Sequence, residues 1–269
     1  MPAFTHLHTH SHYSLLSALP KVDQLVDEAR KLGMKALALT DNGNLYGAIE
    51  FYKTCKKKDI KPIIGVDFYV AARSRKDMQA GIDNRRSRLV LLATNETGYK
   101  NLIRLVTDSH LEGFYYKPRI DRELIEKYNE GLIAISPSFS GEIAQSLKGR
   151  NQDKAREVAE FYKKIFGGRL YIEVTHHPEI DGHEANMKTL VEFAKENESF
   201  KVEAGFLSGK LVSKEQVKVL ATLPSREVML ARVVGGIQAP ISGFVGVLAG
   251  TLRKVVTAFD AIAKKKSNG

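Results

Sequence analysis

Along its first 196 residues the chain alternates between short apolar runs and longer amphipathic stretches. Runs at 4–10, 35–40, 62–70, 88–93, 131–136 and 169–174 read as strands. Between them, apolar residues recur at helical spacing over 20–33, from the 41–44 loop to about 57, and over about 96–109, 121–128, 151–166 and 182–196. Pro20 opens the first helix and Gly33 stops it. Strand–helix alternation at this spacing predicts βα units and a mostly parallel sheet or barrel. The polar stretch 71–87 reads as a loop.

Near residue 198 the character changes. All ten Tyr and all eight His lie before Ser199. From Ser199 onward there are eleven Lys and Arg against four Asp and Glu, so most of the net charge of +10 falls in the last quarter of the chain. We expect two unrelated pieces, 1–197 and 198–269, the second mostly α-helical. Within it, 201–210 reads as a strand pair around a Gly turn. Ala239-Pro-Ile-Ser-Gly243 then leads into a long amphipathic helix. Its apolar stripe holds Phe244, Leu248, Leu252, Val255, Val256 and Phe259, and Lys264-Lys-Lys266 closes its last turn. A composition of 43% hydrophobic and 27% charged residues excludes a disordered tail protein, and no apolar run is long enough for a membrane span. A single cysteine, Cys55, excludes an internal disulfide and suits a reducing cytoplasm; on its amphipathic helix it reads as a packed residue. The first residues carry no signal-peptide pattern.

The most specific local feature is His6-Leu-His8-Thr-His10-Ser-His12. On a strand, residues spaced by two share a face. Imidazoles gathered in that way can hold divalent metal; the alternative is a solvent-facing strand. His176 and His177 read as rim residues, and His183 with Glu184 as the solvated start of a helix.

Several segments together carry a family resemblance. They are Phe4-Thr-His-Leu-His-Thr-His-Ser-His-Tyr-Ser-Leu-Leu16, Ala38-Leu-Thr-Asp-Asn-Gly-Asn-Leu-Tyr-Gly-Ala-Ile-Glu-Phe-Tyr52, Lys61-Pro-Ile-Ile-Gly-Val-Asp-Phe-Tyr-Val70 and Leu111-Glu-Gly-Phe-Tyr-Tyr-Lys-Pro-Arg-Ile-Asp121. Over about 3–196 the chain resembles the N-terminal polymerase-and-histidinol-phosphatase (PHP) domain of bacterial DNA polymerase III alpha chains. The resemblance implies an α/β fold, an incomplete distorted βα barrel whose last motif, Asp-x-His, is missing. It implies metal candidates His8, His10, Asp41 and Asp67, which would hold zinc or manganese only weakly. Ser17 stands where the family often has Asp, Asn42 where it has His, Asp67 where a bridging Glu is usual, Arg88 where a ligand His is frequent, and Ser138 where Cys is frequent. Neutral and cationic replacements disfavour a bound dication, and hydrolysis would need a metal pair to activate water. The expected function is therefore an accessory PHP segment with a degenerate metal site and no palm of its own. Its expected partners are polymerase III subunits or the remainder of the alpha chain.

From about 202 to 267 the chain resembles the C-terminal part of the bacterial ribosomal stalk-base protein, the tenth of the large subunit. The Leu223-Pro-Ser-Arg-Glu227 and Ala239-Pro-Ile-Ser-Gly-Phe244 segments carry the likeness. It implies an alternative partner, dimers of the acidic stalk protein, seated on the terminal helix. A hybrid reading frame is the simplest account of the join.

Overall fold

The computed structural model describes residues 4–175, 179–180 and 182–196, and the backbone of 205–207 and 210–212. The chain divides by contacts between Ala221 and Thr222, and every described residue belongs to the first unit. The expected terminal helix lies outside the described residues.

The elements follow the expected order closely. Helix α1 (Val22–Lys31) precedes strand β1 (Ala36–Leu39), then helix α2 (Ala48–Lys57) and strand β2 (Lys61–Ala71). Strand β3 (Arg86–Ala93) leads into helix α3 (Glu96–Leu111), and β4 (Phe114–Tyr115) and β5 (Lys117–Ile120) form a tight pair. Helix α4 (Arg122–Lys127), strand β6 (Leu132–Ser136), helices α5 (Glu142–Lys148) and α6 (Gln152–Phe166), strand β7 (Leu170–Ile172) and helix α7 (His183–Glu196) follow. Strands β8 (Gly205–Leu207) and β9 (Lys210–Val212) pair antiparallel, a strand pair where sequence places one. Side-chain caps explain several helix starts. Asn95, Asp121 and Asn151 each accept a hydrogen bond from a first-turn backbone N–H.

The sheet corrects the mostly parallel expectation. Its order is β4-β5-β2-β3-β6-β7, with β1 also paired to β2. β1–β2, β2–β5 and β6–β7 are parallel, but β3 runs antiparallel to both β2 and β6. The cause is the connection before β3. A parallel crossover needs a packed element to carry the chain back, and the 72–85 segment is a loop without one. The segment 4–10, read as a strand, runs beside β1 without a continuous ladder. His6 and Thr9 carbonyls accept from the amides of Ala38 and Thr40, but the Thr9 amide turns to the Thr40 hydroxyl.

β2 and β3 are buried on both faces, and their period-two alternation sorts the residues. Phe68 and Val70 on β2, with Leu89 and Leu91 on β3, enter the large core. Leu102, Leu105, Val158, Tyr162, Phe166 and Phe193 from helices α3, α6 and α7 complete it. Asp67, Tyr69, Arg88 and Val90 point the other way, since register pairs Asp67 with Val90 and Tyr69 with Arg88. A second cluster joins α1 and α2 to β1, and Cys55 lies in it, fully buried with its thiol pushed up to about 12 by burial. That is a packed cysteine, not a nucleophile.

The polar 72–85 loop is tied down by two arginines. Arg119 is fully buried and donates to the carbonyls of Gly113, Asp83, Arg75 and Asp77 at 2.8–3.1 Å. Arg75 donates to Asp121, Glu112 and Glu123.

The start of α3 packs backbone to backbone on the turn before β6. Gly131 has φ of +68°, and a Cβ added to Gly98 would lie 1.9 Å from the Gly131 carbonyl oxygen. Because that neighbour is backbone, Gly98→Ala must push α3 off the sheet. We expect a loss of about 2 kcal/mol, or about 4–8 °C in melting temperature. Thermal unfolding of the full chain is the check, and an unchanged midpoint would refute the close packing.

Candidate functional site

Four segments converge on the Asp67 carboxylate. Asp67 lies mid-way along β2 and is 2% exposed. Asn42, in the loop after β1, forms a parallel bridge with it, and the amides of Gly43 and Asp67 donate across that junction. Arg88 sits on β3, one register step away. Its Nε donates to Asp67 Oδ1 at 2.9 Å, and its Nη2 donates to both Asp67 Oδ2 and Asn42 Oδ1. The guanidinium also lies 4.2 Å from the Tyr69 ring centroid.

From the N-terminal segment, His8 Nε2 and His10 Nε2 reach Asp67 Oδ2 at 3.1 and 3.2 Å. The other ring nitrogen of His8 faces Glu173, 3.1 Å from both carboxylate oxygens. Glu173 follows β7 directly and is held by its amide to the Ser136 carbonyl. A carboxylate only accepts, so His8 donates from both nitrogens and is an imidazolium. Burial opposes that charge, but the hydrogen bonds with Asp67 and Glu173 outweigh it and raise the His8 pKa to about 10. Burial likewise works against an ionised Asp67. The donors His10, His8 and Arg88 more than offset it and hold the carboxyl far below its usual range.

The expected candidates separate here. His8, His10 and Asp67 present ligand atoms within 4.8 Å of one another. Asp41 does not join them. Its oxygens accept from the Ser11 amide and hydroxyl and from the Ser14 hydroxyl at 2.6–2.7 Å, so this buried carboxylate fastens the 11–14 turn. The outer histidines are not among these grouped ligand atoms: His6 packs edge-on against Phe4, near enough to Glu173 to feel its charge, and His12 packs against Tyr13. Glu173 escaped the sequence reading; its position at the C-terminal end of a parallel strand is the signal that points to it. His183, read as solvated, is 2% exposed, stacks on Phe139 and hydrogen bonds to the Thr175 carbonyl, because α7 turns its first residue inward. His176 and His177 lie outside the described residues.

His8, His10 and Asp67 are a candidate metal-ligand group, and the Arg88 guanidinium bonded to both Asp67 oxygens is a charge that disfavours a dication beside it.

A PHP domain model matches residues 6–177, and a model of the ribosomal protein uL10 C-terminal region matches 223–269, starting later than the about 202 expected from sequence. The chain is 44% identical over 194 residues to DNA polymerase III subunit alpha of Borreliella burgdorferi, covering 72% of this chain and 17% of that protein. It is 45% identical over 177 residues to the same subunit of Treponema pallidum, covering 65% and 15%. The chain thus spans about one sixth of the length of these curated relatives. Among solved structures it superposes on a Bifidobacterium adolescentis protein described as a metal-dependent phosphoesterase, with a TM-score of 0.50 and 11% identity over 81% of this chain and 96% of that one. That likeness concerns the fold alone.

Because His8 is raised from 6.5 to about 10, its contribution to stability is complete below about pH 6.5 and is lost as pH rises toward 10. We expect the unfolding free energy to fall across that window by up to about 1.4 kcal/mol per pH unit. His8→Ala should flatten the slope, as read by urea unfolding from pH 6 to 10. Equal slopes in the two proteins would sink the assignment.

Proposed function

This chain belongs to the PHP domain family, and from that premise we infer that residues 1–197 act as a polymerase III alpha-type accessory segment whose own metal centre has been replaced by an ion-pair cluster. The carrying observation is the Arg88 guanidinium seated on Asp67 and Asn42. Identity of 44–45% to the N-terminal part of two alpha subunits supports the polymerase side of this reading. Its partners would be polymerase III subunits or the remainder of an alpha chain, and its setting the cytoplasm. Among the described residues no helix is long and apolar enough to cross a membrane. Hydrolysis of a phosphoester by this cluster is not expected, because the Arg88 guanidinium already takes both oxygens of Asp67. Zinc or manganese would bind weakly at most, through His8, His10 and Asp67, with Asp41 held apart by its serines. The purified chain with manganese or zinc should show negligible turnover of a nucleotide phosphoester. Turnover that disappears in His8→Ala/His10→Ala would overturn this.

The match at 223–269 favours a second reading for the tail. There the apolar stripe of Phe244, Leu248, Leu252, Val255, Val256 and Phe259 would seat dimers of the acidic stalk protein, in the helix-in-groove manner. Nearby Arg253, Lys254 and 264–266 would speed encounter with an acidic partner. Burying one large apolar side chain is worth roughly 1.5–3 kcal/mol. Leu252→Asp in the full chain should therefore weaken the complex by about tenfold or more. Titration with stalk-protein dimers is the measurement, run beside a pull-down with polymerase III subunits. No binding at tens of micromolar, about −6 kcal/mol, would remove the stalk reading and leave the polymerase one standing.

A further inference from the structure

We propose that Arg88 is a built-in substitute for a divalent cation: its guanidinium neutralises Asp67, ties three segments of the sheet together and keeps dications out of the cluster. The guanidinium is permanently charged and carries five donors in a fixed plane. Nε and Nη2 take the two oxygens of Asp67 in a fork, and Nη2 also reaches Asn42 Oδ1. Tyr69, the cross-strand neighbour of Arg88, supplies an aromatic face at 4.2 Å. The Arg88 backbone adds a third tie, its amide donating to the Ser140 carbonyl at 2.8 Å beside a bridge to Gly141. One residue thus joins the loop after β1, strand β2 and the turn before α5. A metal ion bridging a carboxylate and side chains from separate loops does the same mechanical work. The two cannot coexist, since like charges this close, around a carboxylate that is 2% exposed, repel strongly.

The inference rests on reading the cluster as a PHP centre with replaced ligands, and the test separates the two. Thermal unfolding of the full chain is compared for wild type, Arg88→Gln, Asp67→Asn and the double variant, each dialysed against EDTA or against zinc chloride with elemental analysis. We expect the wild-type midpoint to ignore zinc and to hold less than one tenth of an equivalent. Arg88→Gln should melt several degrees lower and recover part of that loss in zinc, because Asp67 is left without its cation. In the Asp67→Asn background the same substitution should shift the midpoint by less than half as much. An equal shift in both backgrounds would make Arg88 a packing residue and overturn the substitution idea, while the reading of the centre as degenerate would survive. Stoichiometric zinc in the wild type, lost in His8→Ala, would overturn both. If Arg88→Gln fails to fold while the double variant folds, the charge argument is upheld. If neither folds, the wild-type zinc content decides alone, with none bound in support and one or more equivalents against.

Discussion

A carboxylate buried to the extent of Asp67 cannot stand alone in a protein interior. Alternation along β2 leaves it no choice of face: Phe68 and Val70 go to the large core, so Asp67 and Tyr69 go to the opposite side. Everything else in the cluster answers that charge. Arg88 arrives from β3 by register, His8 and His10 from the N-terminal segment, and Glu173 from the end of β7 to balance the second positive group. The cluster is therefore as much a statement about how the strands meet as about chemistry.

Its composition is internally consistent. A dication needs lone pairs from every neighbour, whereas a guanidinium needs acceptors placed for its fork. Asn42 offers a neutral acceptor and Asp67 a two-oxygen acceptor, and both suit Arg88. A buried ion pair is weak evidence for added stability, because two well-packed apolar groups can do as well. Losing one partner alone is the costly event. Arg88 and Asp67 are thus coupled: each makes the other hard to change, whatever the net gain of the pair.

Much of the fold was legible because it rests on periodicity. The apolar runs at 62–70, 88–93 and 131–136 became β2, β3 and β6 within two residues at each end, and α3, α6 and α7 appeared where helical spacing placed them. The antiparallel run of β3 was not legible, because strand direction depends on whether the connection carries a packed element, and loop 72–85 gives no period to read. Helix α5 and the β4–β5 pair were also missed, being too short to show one. At the site, His8, His10 and Asp67 were legible from spacing and resemblance. The separation of Asp41 was not, since it turns on the hydroxyls of Ser11 and Ser14, which no pattern marks as its partners. Glu173 was invisible because its role depends on which strand end lies beside His8.

Where periodicity stops, arginine takes over the task of fixing the chain. Loop 72–85 has little apolar surface to bury, yet Arg119 gathers carbonyls from both of its arms and Arg75 pins it to Asp121 at the start of α4. Burial pulls the Arg119 pKa down, but four carbonyl acceptors take four of its five donors without any carboxylate. Arg88 does the same around Asp67, with a carboxylate as the main acceptor. A planar fork is suited to this work because one side chain orders several backbone segments with little lost freedom per bond. Lysine, with a single mobile ammonium, could match the charge at each position but not the geometry. The irregular parts of this fold therefore depend on three guanidinium groups in the way that its regular parts depend on alternating apolar residues.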